Sequence, residues 1–445
     1  MEWLNQIPAL IKIFLVLGIV VVGLKFKLHL SFSLLIGSVF LGAFFRMNPV
    51  SFIKAIFSGT FTVETFSLVI VVTGILILSN GMSVSGRLER IVESLKRVVG
   101  ESRIALITFP ALIGFLPMPG GAVFSAPMVG AMSQNSSLDP HRKTVINYWF
   151  RHIWEYWFPL YPGVILALSL TNIPAYKFIL LGLPMSVFAL FFGYLITLRN
   201  VSLGEKKHRD YSKKNIISFL SELIPIFLMV FSLLILGILI NVLEEKFSFK
   251  SNPRLKMSGT RLIERAPIFI GLILSFSWVV IADKLQWKNV KSVLMKKSIW
   301  QLGLLVIAIM IFRSVLERSE GVNILKDELL TYNIPINGLI MVLPFIAGIV
   351  TGIAVGFVGT SFPIVITLIA TLNIAPENTG ALIFIAYVFG YTGMMLSPVH
   401  LCLLLTKDYF EANLFKVYIR YLIPIGVLTL IPALILFTIY QFFRF

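Results

Sequence analysis

Apolar residues run in blocks of about 18 to 22 between short polar connections, the length a helix needs to cross the hydrocarbon core of a bilayer. Such blocks fall at 7–26, 29–46, 63–81, 145–171 and 175–198, and again at 216–242, 266–283, 299–316, 381–405 and 420–441. They predict ten helical spans. Two more apolar regions, 104–132 and 336–374, are interrupted midway, by Pro117-Met-Pro-Gly-Gly121 and by the stretch Gly352 to Pro363, which leaves halves too short to cross alone. Both read as re-entrant helical hairpins, because irregular backbone at membrane depth is tolerated only where protein or a cavity covers it. The segments 85–103 and 284–298 set apolar residues at helical spacing among charges and predict helices lying flat at the interface.

Composition points the same way. The chain is 57% hydrophobic and 13% charged, about half the charge of a soluble protein, too little to cover a water-facing surface. The fold class expected is therefore an all-α polytopic membrane protein. A net charge of +17 would suggest nucleic acid in a soluble chain, but here the basic residues sit in short connections, where they set orientation. Membrane lipids are the expected partners, and nucleic acid is not. Lys25, Lys27, the run Arg87 to Arg103, the loop Arg199 to Lys214 and the segment Lys284 to Lys297 fall on one side, which is then cytoplasmic. This predicts a multi-pass protein of the cell (inner) membrane with its N-terminus outside. The basic segment 243–265 resists the assignment, since the same count places it outside. The first apolar run, from Ile7, lacks a small-residue cleavage site and reads as a retained span. The single cysteine, Cys402, excludes an intrachain disulfide and a multi-cysteine metal centre.

The chain resembles itself. Phe124-Ser-Ala-Pro-Met-Val129 matches Thr360-Ser-Phe-Pro-Ile-Val365, with Ser125 over Ser361 at an offset of 236 residues, and the same offset sets Pro162 over Pro398. Pro110 and Gly114 match Pro344 and Gly348 at an offset of 234. Equivalent positions are separated by an odd number of spans, so the second copy enters the bilayer upside down. The domain division predicted is a first inverted repeat at 1–215 and a second at 216–445, each with five spans and one hairpin. Paired Gly/Pro-interrupted segments in corresponding places mark the binding site of secondary transporters.

Broken helices expose N–H groups that need a partner and carry partial positive charge, which suits anions. The tip Pro119-Gly120-Gly121 leads into the half-helix bearing Ser125, and Val358-Gly359-Thr360-Ser361 is expected to form the second tip. The predicted substrate-binding set is Gly120, Gly121, Ser125, Gly359, Thr360 and Ser361, with Pro162, Ser397 and Pro398 at the span breaks. Gly114, Gly348, Gly352 and Gly356 read instead as packing glycines. Asn147, Arg151, His152 and Glu155 form the only dense polar cluster inside a span, and ionisable residues there default to function. Arg151 and Glu155, four apart, either pair on one helical face or divide their roles, Glu155 taking a coupling proton and Arg151 neutralising an acidic substrate. His152-x-x-Glu155 is half of a helical metal motif. The sequence offers no other half, so no metal is expected. Tyr391, mirroring Glu155, and His400, after the second break, complete the coupling set; His400 is either a titrating group or a hydrogen-bonded structural one. Arg313 and Glu317 read as an interfacial pair.

Pro117-Met-Pro-Gly-Gly-Ala122 with Ser125-Ala-Pro127, Asn147-Tyr-Trp-Phe-Arg-His-x-Trp-Glu155, Pro159-Leu-Tyr-Pro-Gly163 and Gly393-Met-Met-Leu-Ser-Pro-Val-His-Leu-Cys402 resemble an uncharacterised family of ten-span prokaryotic membrane proteins. That family is grouped with the ion transporter superfamily, and the Pro-x-Pro-Gly-Gly hairpin is similar to that of the gluconate permeases. The resemblance implies a homodimeric elevator-type carrier, with a scaffold from the outer spans and a mobile domain holding both hairpins and both broken spans. It also implies an anionic substrate moved with sodium or protons. The Ser-Asn-Thr strings of the dicarboxylate branch are absent from both tips.

The function expected is secondary active transport of a small anionic, carboxylate-like solute, with H+ favoured over Na+ as coupling ion, and not enzymatic. The alternative is an intramembrane enzyme or lipid-handling protein centred on His152, Glu155 and His400.

Overall fold

The computed structural model describes residues 7–99, 103–115, 121–134, 136–171, 173–201, 212–237, 239, 259–372 and 374–443. Their regular structure is helical. Five stretches among them are long and apolar enough to cross a membrane: Val63–Val84, Ala175–Thr197, Trp287–Arg318, Ala354–Thr371 and Leu414–Phe442. The bent pair Lys213–Glu222 and Ile224–Phe231 would make a sixth. The others among the ten predicted spans are shorter or broken. Exposed apolar side chains follow helical spacing on these elements, as with Tyr176, Leu180, Leu183, Val187 and Phe191. Stripes of that kind suit lipid rather than water, so the apolar helices mark a membrane-embedded protein. The amphipathic helix Arg87–Val99 buries Leu88, Ile91, Val92 and Leu95. Most of the basic segment 243–265 lies outside the described residues.

Two compact units divide the chain, one from Met1–Thr60, Leu106–Gly204 and Leu305–Phe445, the other from Phe61–Ala105 and Glu205–Leu304. Both predicted hairpins and both predicted broken spans fall almost wholly in the first unit. The region expected to form the first hairpin holds helices α1 (Arg103–Gly114) and α2 (Ala122–Met132). The first broken span follows. Its opening limb, α3 (Pro140–His152), starts with Asp139 accepting from the Arg142 N–H at 2.9 Å and with Pro140 in the first turn, where no N–H is needed. It gives way at Ile153–Tyr156 to a 3₁₀ turn, and Pro162 opens the second limb, α4 (Pro162–Thr171).

In the second half α5 (Ile336–Thr351) and α6 (Ala354–Thr371) form the hairpin, then α7 (Pro376–Met395) and α8 (Leu401–Tyr409) flank the break that holds Pro398. The second tip is displaced from its expected place. The chain turns at Gly352, whose φ of +62° is the left-handed conformation glycine tolerates, and Ile353 is extended. Gly359, Thr360 and Ser361 therefore lie inside α6, and that helix, at 18 residues, reaches spanning length, contrary to the expectation of two short halves. The packing is reciprocal: α2 lies against α8, and α6 against α4.

Candidate functional site

The two span breaks meet in the first unit. Where α3 ends, carbonyls lose their helical partners, and two tyrosines of α7 serve them: the Tyr391 hydroxyl donates to His152 O and the Tyr387 hydroxyl to Glu155 O, both at 2.8 Å. In return the Tyr148 hydroxyl of α3 donates to Met395 O, at the end of α7, at 3.1 Å. Tyr391, expected as a coupling group, thus holds backbone.

The first hairpin is tied to the first broken span along the last turn of α1. Trp154 Nε1 donates to Ala111 O at 2.7 Å, Arg151 Nη1 to Ile113 O at 3.4 Å, and the Tyr161 hydroxyl to Gly114 O. The second half repeats the arrangement with Ser397, whose Oγ donates to Ile349 O at 2.5 Å. Gly114 and Gly348 are packing glycines as expected: a Cβ on Gly114 would strike the Arg151 backbone, and one on Gly348 the Gly390 carbonyl.

Arg151, 3% exposed, lies with its guanidinium against Gly121, so close that a Cβ there would collide with it. Gly121 is the residue from which α2 starts; Gly120 and the preceding Pro117 to Pro119 lie outside the described residues. A cation and a helix N-terminus therefore coincide at the first tip. Asn147 links the same neighbourhood, donating from Nδ2 to Ala122 O at 3.2 Å and to Thr406 Oγ1 at 3.0 Å. Its buried Oδ1 has no hydrogen-bond partner among the described residues. Ser125 is buried one turn into α2.

The i,i+4 pairing of Arg151 with Glu155 is replaced. The 3₁₀ turn that begins at Ile153 changes the helical period, and the ion-pair contact of Glu155 among the described residues is with His152, Oε1 to Nε2 at 3.8 Å. His152 Nε2 also lies 3.2 Å from His400 Nε2, the rings perpendicular. His400 stands just ahead of α8 and Cys402 within its first turn, and the metal-ligating atoms of His152, His400 and Cys402 lie within 4.8 Å of one another. His152, Glu155 and His400, the group on which the alternative reading centres, are thus brought together.

Of the remaining expected residues, Pro162 opens α4 and Pro398 is exposed between α7 and α8. Thr360 and Ser361 are buried, their hydroxyls donating back to Gly356 O at 2.8 Å and Phe357 O at 2.6 Å, and Gly359 packs on Ile309. Arg313 and Glu317 pair at 2.8 Å as expected. Sequence reasoning missed Tyr161, Tyr387, Thr406 and Cys402 as members of this cluster. Tyr161 was open to discovery, because the 236-residue offset maps it onto Ser397.

No curated protein matches the chain. A family described as a protein of unknown function, DUF401, matches residues 8–250 and 253–439, nearly the whole length, and the chain belongs to that family.

Proposed function

We propose that the protein is a secondary active transporter of a small anionic, carboxylate-like solute, coupled to protons rather than sodium. It works as an elevator-type homodimer in the cell membrane with its N-terminus outside. The observation that carries the reading is the buried Arg151 guanidinium set against Gly121 where α2 begins. A cation beside a helix N-terminus, where the macrodipole is positive, favours an anion whose negative charge matches both. Glu155, buried and without an arginine in direct contact among the described residues, is the group assigned to the coupling proton.

Three features support the inverted repeat behind this mechanism. Each hairpin's return helix packs on the second limb of the other half's broken span. Tyr161 and Ser397, equivalent in the repeat, both donate to the last turn of the preceding hairpin helix. Gly114 and Gly348, also equivalent, both admit backbone of a broken span. In secondary carriers such paired breaks hold the solute near the bilayer midplane.

Purified protein in liposomes tests the reading. An inward proton gradient is expected to drive accumulation from a panel of radiolabelled mono-, di- and hydroxycarboxylates, and Arg151→Ala, inserted in equal amount, to lose it. Absence of uptake under both proton and sodium gradients overturns the function; uptake driven only by sodium overturns the coupling. The convergence of His152, His400 and Glu155 favours a second reading, an intramembrane enzyme or lipid-handling protein. That reading predicts release of product from labelled lipid in the same liposomes without solute accumulation.

A further inference from the structure

We propose that the two span breaks hold one transition-metal ion of the zinc class, bound by His152 Nε2, His400 Nε2 and Cys402 Sγ. The inference does not depend on transport. It starts from geometry: one ligating atom from each of these three buried residues lies within 4.8 Å of the others. The two imidazole nitrogens are 3.2 Å apart. Two Zn–N bonds of about 2.0–2.1 Å at a tetrahedral angle put their nitrogens about 3.3 Å apart, so the histidines stand almost as a shared ion requires.

The protonation pattern fits as well. His152 Nδ1 lies 2.7 Å from Tyr148 O, and a carbonyl only accepts, so Nδ1 carries the hydrogen and Nε2 presents its lone pair. A backbone carbonyl on the far nitrogen is the usual second-shell device that orients a metal-bound histidine. Two neutral imidazoles and a thiolate suit zinc and other late first-row ions and disfavour Na+, Mg2+ and Ca2+, which prefer oxygen. Glu155 Oε1, 3.8 Å from His152 Nε2, is close enough to supply the fourth ligand, directly or through a water. On binding, the Cys402 thiol gives up its proton and forms the S–metal bond, while both imidazoles bind as neutral donors, so one proton leaves for each ion bound.

The ligands come from two breaks 248 residues apart. A bound ion would therefore fasten the end of α3 to the start of α8. The competing arrangement is a plain hydrogen bond from His400 Nε2–H to the His152 lone pair, which fits the same 3.2 Å and leaves the Cys402 thiol unligated.

Full-length protein in detergent, stripped with a chelator and titrated with Zn2+ and Co2+, distinguishes the two. Wild type is expected to take up about one ion per chain, to show a thiolate-to-cobalt charge-transfer band with Co2+, and to give a zinc X-ray absorption spectrum with a mixed nitrogen–sulfur shell. Cys402→Ser is expected to lose the charge-transfer band, and both it and His400→Asn to bind at least about ten-fold more weakly. No binding at millimolar metal, or a shell of nitrogen and oxygen alone, overturns the proposal in favour of the hydrogen-bonded pair. Equal binding by wild type and both variants means an adventitious ion only and overturns it too. The absorption spectrum needs only the wild-type chain, so the proposal stays testable even if a variant fails to fold.

Discussion

Two clusters of buried charge, one in each unit, follow opposite logic. In the second unit Arg87 grips Asp283 with two bonds of 2.8 Å, Nε to Oδ2 and Nη2 to Oδ1, while Arg90 adds 2.6 Å to the same carboxylate and 3.2 Å to both oxygens of Glu222. Two cations face two anions beside a cleft of about 470 Å³ that Trp278 and Ser221 help to line. In the first unit, among the described residues, the Arg151 guanidinium donates to a backbone carbonyl and lies against Gly121, Glu155 meets the His152 imidazole, and two histidines face each other. A network whose charges cancel in direct contact fixes structure. Ionisable groups set against dipoles and titratable rings inside a membrane protein are the default hypothesis for a site, which is why the proposed one is placed there.

Substitution should separate the two most widely through carboxylate neutralisation. Asp283→Asn leaves Arg87, whose side chain is 5% exposed, short of its main partner, and breaking a buried pair in this way costs about 3–5 kcal/mol. Glu155→Gln strips no guanidinium of a direct contact among the described residues and replaces a buried carboxyl, costly to ionise, with a neutral amide of the same shape. Its stability should stay within about 1 kcal/mol of wild type or rise, while proton-driven uptake is lost. Chemical denaturation in detergent measures both, and equal destabilisation by the two variants would erase the distinction.

The next effect concerns how the first cluster is positioned. Tyr387→Phe and Tyr391→Phe each withdraw a donor from a buried carbonyl at the broken end of α3, with an expected loss of about 1–3 kcal/mol apiece. Because Glu155 and His152 own those carbonyls, the variants should also alter uptake, whereas Arg90→Lys, on the other cluster, should not.

A smaller effect lies at the entrance to α3. The Asp139 carboxyl is held below the usual carboxylate range: burial works against its charge, but the Arg142 N–H, His141 and the Tyr421 hydroxyl, all bonding the ionised form, outweigh it. A depressed folded pKa means stability that is complete above the unfolded value near 3.9 and is lost as pH falls through the folded one. Asp139→Ala should therefore cost about 1 kcal/mol at neutral pH and nearly nothing once the wild-type carboxyl is protonated, as parallel unfolding series at pH 7 and in acid would show.

Much of this was legible in the sequence where proline and glycine dictate backbone. Pro162 and Pro398 mark both span breaks, and the described helices stop at Gly114 and restart after Gly121, on either side of the Pro/Gly-rich stretch. The second turn falls at Gly352 and not at Gly359-Thr-Ser361, because that string, turn-like in composition, is equally content in a helix whose carbonyls accept the hydroxyls. Of the two alternatives for Arg151 and Glu155, pairing needs regular helix through position 155, and the 3₁₀ turn from Ile153 removes that spacing. The meeting of His152 with His400 and Cys402 depends on how two distant breaks pack, which no local pattern encodes.

Hairpin two supplies the smallest predicted effect and the sharpest check on where its tip lies. Ser361 is fully buried, but its hydroxyl only adds a second bond to Phe357 O, a carbonyl within reach of the helical N–H at position 361. Such back-bonding adds little to helix stability and slightly bends the helix. Ser361→Ala therefore strands no partner and should move stability by less than about 0.5 kcal/mol. Its effect on uptake decides between two positions for the site. Hydroxyls that touched the solute would raise KM when removed, whereas a tip at Gly352 leaves KM unchanged and transfers the sensitivity to Gly352→Ala, which forces a side chain into the left-handed region at about 1 kcal/mol. An increase in KM for Ser361→Ala with none for Gly352→Ala would return the binding end of the second hairpin to Gly359, Thr360 and Ser361, one and a half turns inside α6.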